Sequence, residues 1–423
     1  MLSHPLVEQL ASSGVRLGLT HIRSFLGALG DPQRCAPVVH VAGTNGKGSV
    51  CAMVTAALVE AGYSVGTTVS PHVEHLNERV QIDGVPCDDP TLVEAMEVVD
   101  RARWDWAQNH GLEGVPLTYF EFMVATAFVA FARRGVDVIV AEVGLGGRLD
   151  ATNVVDPVVC AVTSIGLDHT EQLGDTLAQI AGEKAGIIKR GVPVVIGPMA
   201  VEATEVLVAR CRALGAPLWK PPGLLRERQR NGWRLQTPRS ALGPVKLGMG
   251  GAHQGANAVV ATGVLHQLAD LGFAVTDGQI AAGLARAHMP CRLERVHPKV
   301  LVDGAHNVPG SEALARHLST LERPQTRILL VGMGEGRDPA ALMQPLLAHF
   351  DEVVTTRCSH PKAADPMAMA LLLSKRFDGA FSAGESIEVT LPEVLAEADE
   401  VVVAGSLFIA GAARSLAQSG MLD

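Results

Sequence analysis

Short apolar runs alternate with longer segments of helical periodicity along most of the chain. The short runs are rich in Val and Ile without polar alternation, which is typical of strands buried on both faces. In the first part of the chain they lie at residues 38–41, 64–68, 136–143, 158–163 and 194–196. The segments between them predict helices at residues 47–61, 90–109, 119–133, 177–185 and 201–214. This alternation predicts an α/β fold in which helices cover both faces of a mostly parallel sheet.

The alternation is interrupted twice. Residues 224–247 predict a hairpin or meander, and helices are predicted again at 253–271 and 277–285. The pattern stops between residues 286 and 298, and a second α/β series follows. Its predicted strands lie at 300–302, 327–331, 352–355 and 400–403, and its predicted helices at 308–321, 340–350, 391–398 and 407–419. We therefore expect two domains, residues 1–287 and 288–423.

Composition narrows the class of protein. The 423 residues have a formal net charge of −9, which argues against a general surface for nucleic acid or anionic membranes. No apolar run is long enough to span a bilayer, and residues 1–5 lack the basic start of a signal peptide. The seven cysteines are scattered and form no C-x-x-C pair, which is typical of the reducing cytoplasm. We expect a cytoplasmic protein with neither a nucleic-acid partner nor a membrane.

Residues 43–49, Gly-Thr-Asn-Gly-Lys-Gly-Ser, lie between a predicted buried strand and a predicted helix. Backbone N–H groups at such a helix start can bind phosphate oxygens, Lys47 can supply a mobile positive charge, and the Ser49 hydroxyl can bind Mg²⁺. The spacing differs from the usual G-x-x-x-x-G-K-[ST] loop, because Gly48 separates Lys47 from Ser49. The complete strand–loop–helix context predicts a nucleoside triphosphate site.

Two further strand ends have polar residues. Glu142 ends the apolar run 138–143 just before several glycines, where it could hold Mg²⁺ or could simply be a solvated carboxylate at a turn. The run 158–163 leads into residues 164–170, Ser-Ile-Gly-Leu-Asp-His-Thr. A lone histidine is usually a surface or packing residue, but the neighbouring Asp168 and the strand-end position favour a metal or phosphate contact for His169.

Lys184 lies near the end of a predicted, mostly apolar helix, and its aliphatic stem could cross apolar surface to bring the ammonium into solvent. The residues alone favour this solvated position, because an ammonium beside a magnesium site would be repelled unless it were neutral or converted to an anion. Asn257, on the first turn of another helix, could contact an adenine edge or act as a cap.

In the second series, Arg292 precedes the turn 303–307, Asp-Gly-Ala-His-Asn. An arginine at a hinge, facing such a turn, could hold ribose and phosphates in a closing cleft. An ordinary interdomain salt bridge is the alternative.

Together these segments resemble the folylpolyglutamate synthase/dihydrofolate synthase family of Mur-ligase-like, ATP-dependent amide ligases. The motifs occur in the family's order over nearly the whole chain: GTNGKGS (43–49), SPH (70–72), LTYFE (117–121), EVGLGGRLDATN (142–153), SIGLDHTEQLG (164–174), EKAGIIK (183–189), HQGANA (253–258) and DGAHN (303–307). The set is far more specific than any single motif.

The resemblance implies a three-layer P-loop ATPase domain, a smaller Rossmann-like C-terminal α/β domain, and ATP bound between them. It implies two Mg²⁺ ions, with a monovalent cation as a further option. Metal ligands would be Ser49, Ser70, Glu142 and His169, and Lys184 would be carbamylated and thus able to bind metal. Lys47, Lys184 and His169 would act in catalysis. ATP would contact Asn45, Gly46, Lys47, Gly48, Ser49, Asn257, Arg292, Asp303 and His306.

By the same resemblance, the pterin substrate would be held by three groups of residues. They are Thr20 and Arg23 in an N-terminal loop, the run Tyr119, Phe120 and Glu121, and the run Leu149, Asp150 and Ala151. The partners would be ATP, L-glutamate and dihydropteroate or folates, with the chain a monomer. One departure is Cys291, since the family usually has Gly in Pro-Gly-Arg. Cysteine lacks the access of glycine to positive φ, so the sequence leaves the hinge conformation open.

The implied reaction transfers the γ-phosphoryl group of ATP to a carboxylate, and the glutamate amine then displaces phosphate from the acyl phosphate. The residues do not decide between addition to dihydropteroate, extension of folate polyglutamates, or both. A UDP-muramoyl–amino-acid ligase is a rival, but only about 40 residues precede the phosphate loop, too few for its extra N-terminal domain. A P-loop ATPase without ligase activity is another rival, and it leaves the turn 303–307 unexplained.

Overall fold

The computed structural model describes residues 7, 10, 14, 16, 18–111, 116–221, 226–229, 232–237, 239, 241–376 and 379–422. The chain divides into two compact units. The first comprises Met1–Gly248 and Gly255–His288, and the second comprises Met249–Gln254 and Met289–Asp423. Each unit has its own sheet, and we describe them separately.

The first unit contains an eight-stranded sheet in the order β4-β3-β2-β5-β1-β6-β7-β8. Strands β2, β5, β1, β6, β7 and β8 are parallel, and the short strands β3 and β4 extend the edge in antiparallel fashion. The strands are β1 Val38–Ala42, β2 Val65–Thr68, β3 Val80–Ile82, β4 Val85–Pro86, β5 Val138–Glu142, β6 Pro157–Val162, β7 Val194–Ile196 and β8 Leu218–Trp219. β1 therefore lies centrally, between β5 and β6.

Helices connect these strands, and local sequence explains where several of them begin. Thr118, Thr176 and Thr276 each form a capping box with the Glu or Gln three residues later, which satisfies exposed N–H groups of the first turn. The helices are Thr20–Ala28, Lys47–Glu60, Asp89–Asn109, Tyr119–Arg134, Thr170–Leu173, Leu177–Ala185, Val201–Leu214, Ala252–Asp270 and Asp277–Arg286.

Both faces of the central strand β1 are buried. Val38, 2% exposed, belongs to an apolar cluster with Phe25, Phe122 and Phe128, and Val39, on the opposite face, is 0% exposed. Such two-sided burial explains why the parallel strands are continuous apolar runs in the sequence. The predicted α/β class with a mostly parallel, helix-covered sheet is confirmed.

Residues 224–247 contain the predicted meander. The strands β9 Arg226–Gln229, β10 Gly232–Gln236 and β11 Ala241–Val245 form a separate three-stranded antiparallel sheet. In the described part of the chain, no helix has both the length and the apolar character needed to cross a membrane.

The second unit contains a six-stranded sheet in the order β12-β13-β17-β14-β15-β16, parallel except for β12. The strands are β12 Glu294–His297, β13 Val300–Val302, β14 Arg327–Val331, β15 Glu352–Thr355, β16 Ala380–Ala383 and β17 Glu400–Ala404. The helices are Val308–Leu318, Pro339–Met343, Pro366–Leu373, Ile387–Glu397 and Leu407–Gln418. The buried Arg327 pairs with Glu400 at 2.6 Å.

Two predicted helices of this unit were wrong in their bounds, and two elements were missed. The helix expected at 340–350 is a short helix, Pro339–Met343, followed by a 3-10 turn, Leu347–His349. Pro345 explains the break, because it lacks an N–H and its ring clashes with the carbonyl one turn earlier. The helix expected at 391–398 begins earlier, at Ile387, and contains Pro392. The helix Pro366–Leu373 and the strand β16 were not predicted.

Candidate active site

The phosphate loop follows β1 and ends at the helix Lys47–Glu60, as predicted. Its shape requires glycine at two positions. Gly46 is the N-cap residue with φ +87°, and a Cβ there would overlap the Asn257 side chain. Gly43 has φ +150°, and a Cβ there would overlap the Thr163 hydroxyl. The loop therefore packs directly against Asn257 and against the end of β6.

Parallel pairing brings three strand ends together. Val41 of β1 is in register with Glu142 of β5, and Ala42 is in register with Val162 of β6. Since parallel strands end at the same edge of the sheet, the phosphate loop, Glu142 and residues 163–169 lie side by side. Sequence alone placed these motifs on strand ends but did not order the strands.

Glu142 lies beside the loop lysine. Its side chain is 5% exposed, its Oε1 lies 4.0 Å from Lys47 Nζ, and its Oε2 accepts the Ser70 N–H at 3.2 Å. The Ser49 side chain is buried in the first turn of the helix that Lys47 begins. Lys47, Ser70 and Glu142, which were predicted to act together, are therefore close to one another.

The oxygen donors at this edge fit a magnesium ion. Mg²⁺ prefers oxygen ligands and is usually bound by one or two carboxylates together with phosphate oxygens and water, so Glu142 with the Ser49 and Ser70 hydroxyls is a chemically suitable set. Among the described residues no group of three or more His, Cys, Asp or Glu side chains converges as a metal site. A metal here would thus depend on hydroxyls and on the ligand's own oxygens.

His169 is placed at the edge of this region. Its backbone has φ +51°, a left-handed conformation that is uncommon outside glycine, and it caps the short helix Thr170–Leu173. Its ring is 46% exposed, with Nε2 3.9 Å from Asp168 Oδ1. The predicted role of His169 as a metal ligand stays a prediction.

Lys184 is buried, so the prediction that its ammonium reaches solvent was wrong. The residue is 4% exposed, and Nζ donates a hydrogen bond to the Gly43 carbonyl at 3.0 Å. Burial, together with the nearby positive charge of Lys47, lowers the pKa of Lys184 to about 7. The helix Leu177–Ala185 directs this side chain inward to the phosphate loop, and periodicity alone did not reveal that contact.

The predicted pterin-binding run 119–121 begins a helix. Glu121 Oε2 accepts both the N–H and the hydroxyl of Thr118 at 2.8 Å, so this carboxylate acts in a capping box. Phe120 packs against Gly144, where a Cβ would overlap its ring. Tyr119 lies beneath the guanidinium of Arg79, with 5.3 Å from Cζ to the ring centroid.

Asp150 is buried and organises its own loop. Its Oδ2 accepts the Leu145 N–H at 2.7 Å, and its Oδ1 accepts the Thr152 N–H and hydroxyl. Burial raises the pKa of Asp150 above its ordinary value, against the effect of these hydrogen bonds. The Thr152 hydroxyl also lies 2.9 Å from the buried His40 of β1, a contact that the sequence did not indicate.

The other predicted pterin residues differ in exposure. Ala151 is buried, Leu149 is half-buried, and Thr20 and Arg23 are exposed on the helix Thr20–Ala28. The structure thus places Thr20 and Arg23 on a helix, whereas a loop was expected.

The predicted nucleotide residues of the second unit lie around one turn. Arg292 extends over Gly304, where a Cβ would lie 3.2 Å from Nη1. Burial raises the pKa of Asp303, and the neighbouring Arg292 opposes this effect. His306 Nδ1 lies 2.8 Å from the Gly304 carbonyl. Arg292 and Asp303 are therefore close together, as expected from the motif.

The hinge conformation, which the sequence left open, is glycine-like at Cys291. Cys291 has φ +56°, the left-handed conformation that favours glycine, and the next-but-one residue, Leu293, has φ +49°. Hydrogen bonds hold both residues, because the Cys291 N–H donates to Glu294 Oε2 at 2.8 Å and the Leu293 N–H donates to Asp303 Oδ2 at 2.9 Å. These contacts offset the backbone strain.

Residues that sequence reasoning missed share one property: their partners are distant in sequence. The Arg79 guanidinium lies over the Tyr119 ring, with 5.3 Å from Cζ to the centroid, and the Thr163 and Ser164 hydroxyls donate to the Asn45 carbonyl of the phosphate loop. The signal available in the sequence was the pair of hydroxyl residues, Thr163 and Ser164, at the end of the predicted strand 158–163.

Comparisons with known proteins give a consistent result. A family model for the dihydrofolate synthetase C-terminal domain matches residues 292–416. The dihydrofolate synthase/folylpolyglutamate synthase of Mycobacterium tuberculosis is 34% identical over 452 residues, covering 98% of this chain and 93% of the relative.

Two solved structures superpose on nearly the whole chain. E. coli FolC in complex with DHPP and ADP superposes with a TM-score of 0.88 at 29% identity, covering 99% of this chain and 97% of that chain. The bifunctional folylpolyglutamate synthase/dihydrofolate synthase of Yersinia pestis, complexed with AMPPNP and Mn ion, gives a TM-score of 0.85 at 30% identity, covering 98% and 97%. The chain belongs to the dihydrofolate synthase/folylpolyglutamate synthase family, ATP-dependent ligases that add L-glutamate to dihydropteroate or to folates.

Proposed function

We propose that this chain phosphorylates the carboxylate of a pterin-linked acid at the edge of the first unit's sheet and then joins that carboxylate to L-glutamate. The observation that supports this site best is the convergence of Lys47, Ser70 and Glu142 beside the phosphate loop. A carboxylate oxygen attacks the γ-phosphorus of ATP and ADP leaves. The glutamate amine then attacks the acyl carbon, phosphate leaves, and the amine loses a proton.

The loop residues Asn45, Gly46, Lys47, Gly48 and Ser49 would bind the phosphates through backbone N–H groups and the Lys47 ammonium. Lys47 would neutralise charge on the transferred group, since an ammonium placed where charge develops stabilises the transition state. Lys47 Nζ donates to the Thr44 carbonyl at 3.2 Å, so it is held within reach of the loop.

One Mg²⁺ ion would be held by Ser49 and Glu142, and a second by Ser70, Glu142 and His169. When bound, these ions would neutralise the phosphate charge and polarise the phosphoryl oxygens. The Ser70 N–H keeps the Glu142 carboxylate oriented, and Glu142 keeps Lys47 near the same point. The second Mg²⁺, a monovalent cation and the monomeric state stay predictions.

Lys184 would be converted to a carbamate, which needs a neutral amine. Its lowered pKa, about 7, supplies that form near neutral pH. The Nζ lone pair attacks the carbon of CO₂ and a proton is released, giving an anion that can approach a metal. Labelled bicarbonate and carbon NMR test this step, and an unlabelled lysine in an active enzyme would contradict it.

The pterin would bind beside the helix Tyr119–Arg134, near Tyr119, Phe120 and Glu121, and beside Leu149, Asp150 and Ala151. Because Glu121 and Asp150 already bond backbone groups, we infer that they shape this site more than they bond the ligand. Thr20 and Arg23 would contact the substrate from the helix Thr20–Ala28. Asn257, Arg292, Asp303 and His306 would contact ATP.

The test is phosphate release with ATP, Mg²⁺ and L-glutamate, run with dihydropteroate and separately with tetrahydrofolate. We expect release that depends on glutamate with both acceptors. Lys47→Ala and Glu142→Ala should each abolish turnover, whereas Lys220→Ala, at an exposed position, should not. Release with neither acceptor would refute the assigned reaction, and near-normal rates in the Lys47 or Glu142 variant would refute the assigned site.

A further inference from the structure

Three successive carbonyl groups of the phosphate loop each accept a hydrogen bond from a side chain. The Gly43 carbonyl accepts from Lys184 Nζ at 3.0 Å, and the Thr44 carbonyl accepts from Lys47 Nζ at 3.2 Å. The Asn45 carbonyl accepts from two hydroxyls, Thr163 Oγ1 at 2.6 Å and Ser164 Oγ at 2.9 Å. The carbonyl side of the loop is thus bonded to protein at every one of these peptides.

This arrangement matters for an anion because a peptide is planar. Its C=O and the following N–H point in opposite directions, so a carbonyl fixed on one side turns the next N–H to the other side. A phosphate is attracted by N–H groups and repelled by carbonyl oxygens. Holding the Asn45 carbonyl against residues 163 and 164 therefore directs the Gly46 N–H, at the start of the helix, away from them.

We propose that Thr163 and Ser164 are positioning residues for the triphosphate: they orient the Asn45–Gly46 peptide without contacting the nucleotide. The inference rests on the proposed function, in which residues 43–49 bind the phosphates of ATP. It assigns a role to the two hydroxyls that follow β6, before the Asp168–His169 part of the same motif.

The two hydroxyls add contacts beyond those that pair the strands. β1 and β6 are already in register through Ala42 and Val162, and the Thr163 N–H donates to the Ala42 carbonyl at 2.9 Å. Ser164 bonds the loop in addition, since its Oγ accepts the Asn45 N–H at 3.1 Å and its carbonyl accepts the Thr44 N–H at 2.8 Å. The Thr163 hydroxyl also approaches the Ala42 carbonyl at the end of β1, at 3.4 Å, but its shorter bond and both bonds of the Ser164 hydroxyl are to Asn45 of the loop.

The test compares serine with alanine at position 163, because the two variants differ only by the hydroxyl oxygen. The variants Thr163→Ser, Thr163→Ala and Ser164→Ala are titrated with Mg²⁺ and AMPPNP by calorimetry, and their urea midpoints are measured. We expect Thr163→Ala and Ser164→Ala each to weaken binding about five- to thirty-fold, with Thr163→Ser near wild type.

Thr355 provides the matched control. It is also buried at the end of a parallel strand, and its hydroxyl donates to the Pro366 carbonyl at 2.7 Å, but it lies in the second unit. Thr355→Ala should lower stability without changing the dissociation constant for AMPPNP. Unchanged AMPPNP affinity in both alanine variants at 163 and 164, or failure of Thr163→Ser to restore it, would overturn the proposal.

Lys47→Ala separates this inference from the site on which it rests. If Lys47→Ala weakens AMPPNP binding while the alanine variants at 163 and 164 do not, the phosphate site is supported and the positioning role is refuted. If Lys47→Ala binds AMPPNP as well as wild type, the placement of the triphosphate on residues 43–49 is itself wrong.

Discussion

Replacement of the buried Lys184 by methionine should stabilise the protein at neutral pH while abolishing its activity. Methionine has a similar length and no charge, so it fills the same space under the phosphate loop. The wild-type amine is 4% exposed and donates to the Gly43 carbonyl at 3.0 Å. The substitution therefore removes a buried ionisable group together with one hydrogen bond.

The magnitude follows from the pKa. Burial and the nearby Lys47 lower the pKa of Lys184 from 10.5 to about 7, against weaker opposing effects of Asp168 and Asp150. That depression corresponds to about 5 kcal/mol of unfavourable free energy for the charged form in the folded state. The variant also lacks the hydrogen bond to the Gly43 carbonyl, and this loss lowers its stability by about 1–3 kcal/mol. We expect Lys184→Met to raise the free energy of unfolding by about 2–4 kcal/mol at about pH 7.

The stability that Lys184→Met gains over wild type depends on pH, and it should fall as the pH rises. Below about pH 7 both states bind the proton, and the full unfavourable term is present in the wild type. As the pH rises from about 7 to 10.5, the unfolded state keeps a proton that the folded state has released, so wild-type stability rises relative to the variant. Above 10.5 the advantage of methionine disappears, and the lost hydrogen bond leaves the variant the less stable protein.

The assay is urea unfolding of wild type and Lys184→Met in buffer free of CO₂, so that the amine is not carbamylated. The control is Lys375→Met, at an exposed position, where no comparable change with pH is expected. A stability difference between wild type and Lys184→Met that stays constant across the alkaline range would refute the argument. A large loss of stability at neutral pH would show that the hydrogen bond to Gly43 outweighs the burial of the charge.

Three further predictions concern residues whose roles depend on backbone conformation or on hydrogen bonds to the backbone. Gly46→Ala should weaken AMPPNP binding, measured by calorimetry, because the residue has φ +87° and a Cβ would overlap Asn257. Cys291→Gly should change the unfolding free energy by no more than about 1 kcal/mol, whereas Cys291→Val, with a branched Cβ at φ +56°, should lose about 2 kcal/mol or more in urea unfolding. Glu78→Gln should lose about 1–3 kcal/mol in the same assay, because its carboxylate accepts the backbone N–H groups of residues 73, 74 and 75.

The parallel strands were predictable from the sequence because their burial on both faces leaves continuous apolar runs. Predicted and observed bounds agree closely for β1, β6, β7, β13 and β14. Helix starts were also predictable where a capping box is present, as at Thr118 and Thr176. Proline positions did not predict helix ends reliably, since Pro345 follows the end of a helix whereas Pro392 lies within one.

The candidate site was predictable in its motifs but not in its contacts. Phosphate-loop residues and Glu142 follow local rules, in which a strand is followed by glycines, lysine and a hydroxyl. Lys184 follows no such rule, because its environment depends on which loop faces the end of its helix. Cys291 likewise adopts a glycine-like φ only because Glu294 and Gly304 bond its backbone.

Lys47 of the phosphate loop and Lys184, which donates to that loop, also show why their roles cannot be assigned one residue at a time. Lys47 Nζ and Lys184 Nζ donate to adjacent carbonyls, those of Thr44 and Gly43. Lys47 Nζ lies 4.0 Å from Glu142 Oε1, and the positive charge of Lys47 adds to burial in lowering the pKa of Lys184. At about pH 7 the Lys184 amine is therefore neutral in about half of the molecules, whereas at its ordinary pKa it would be almost fully charged. The neutral amine can still donate to the Gly43 carbonyl, and it is the form that can attack CO₂.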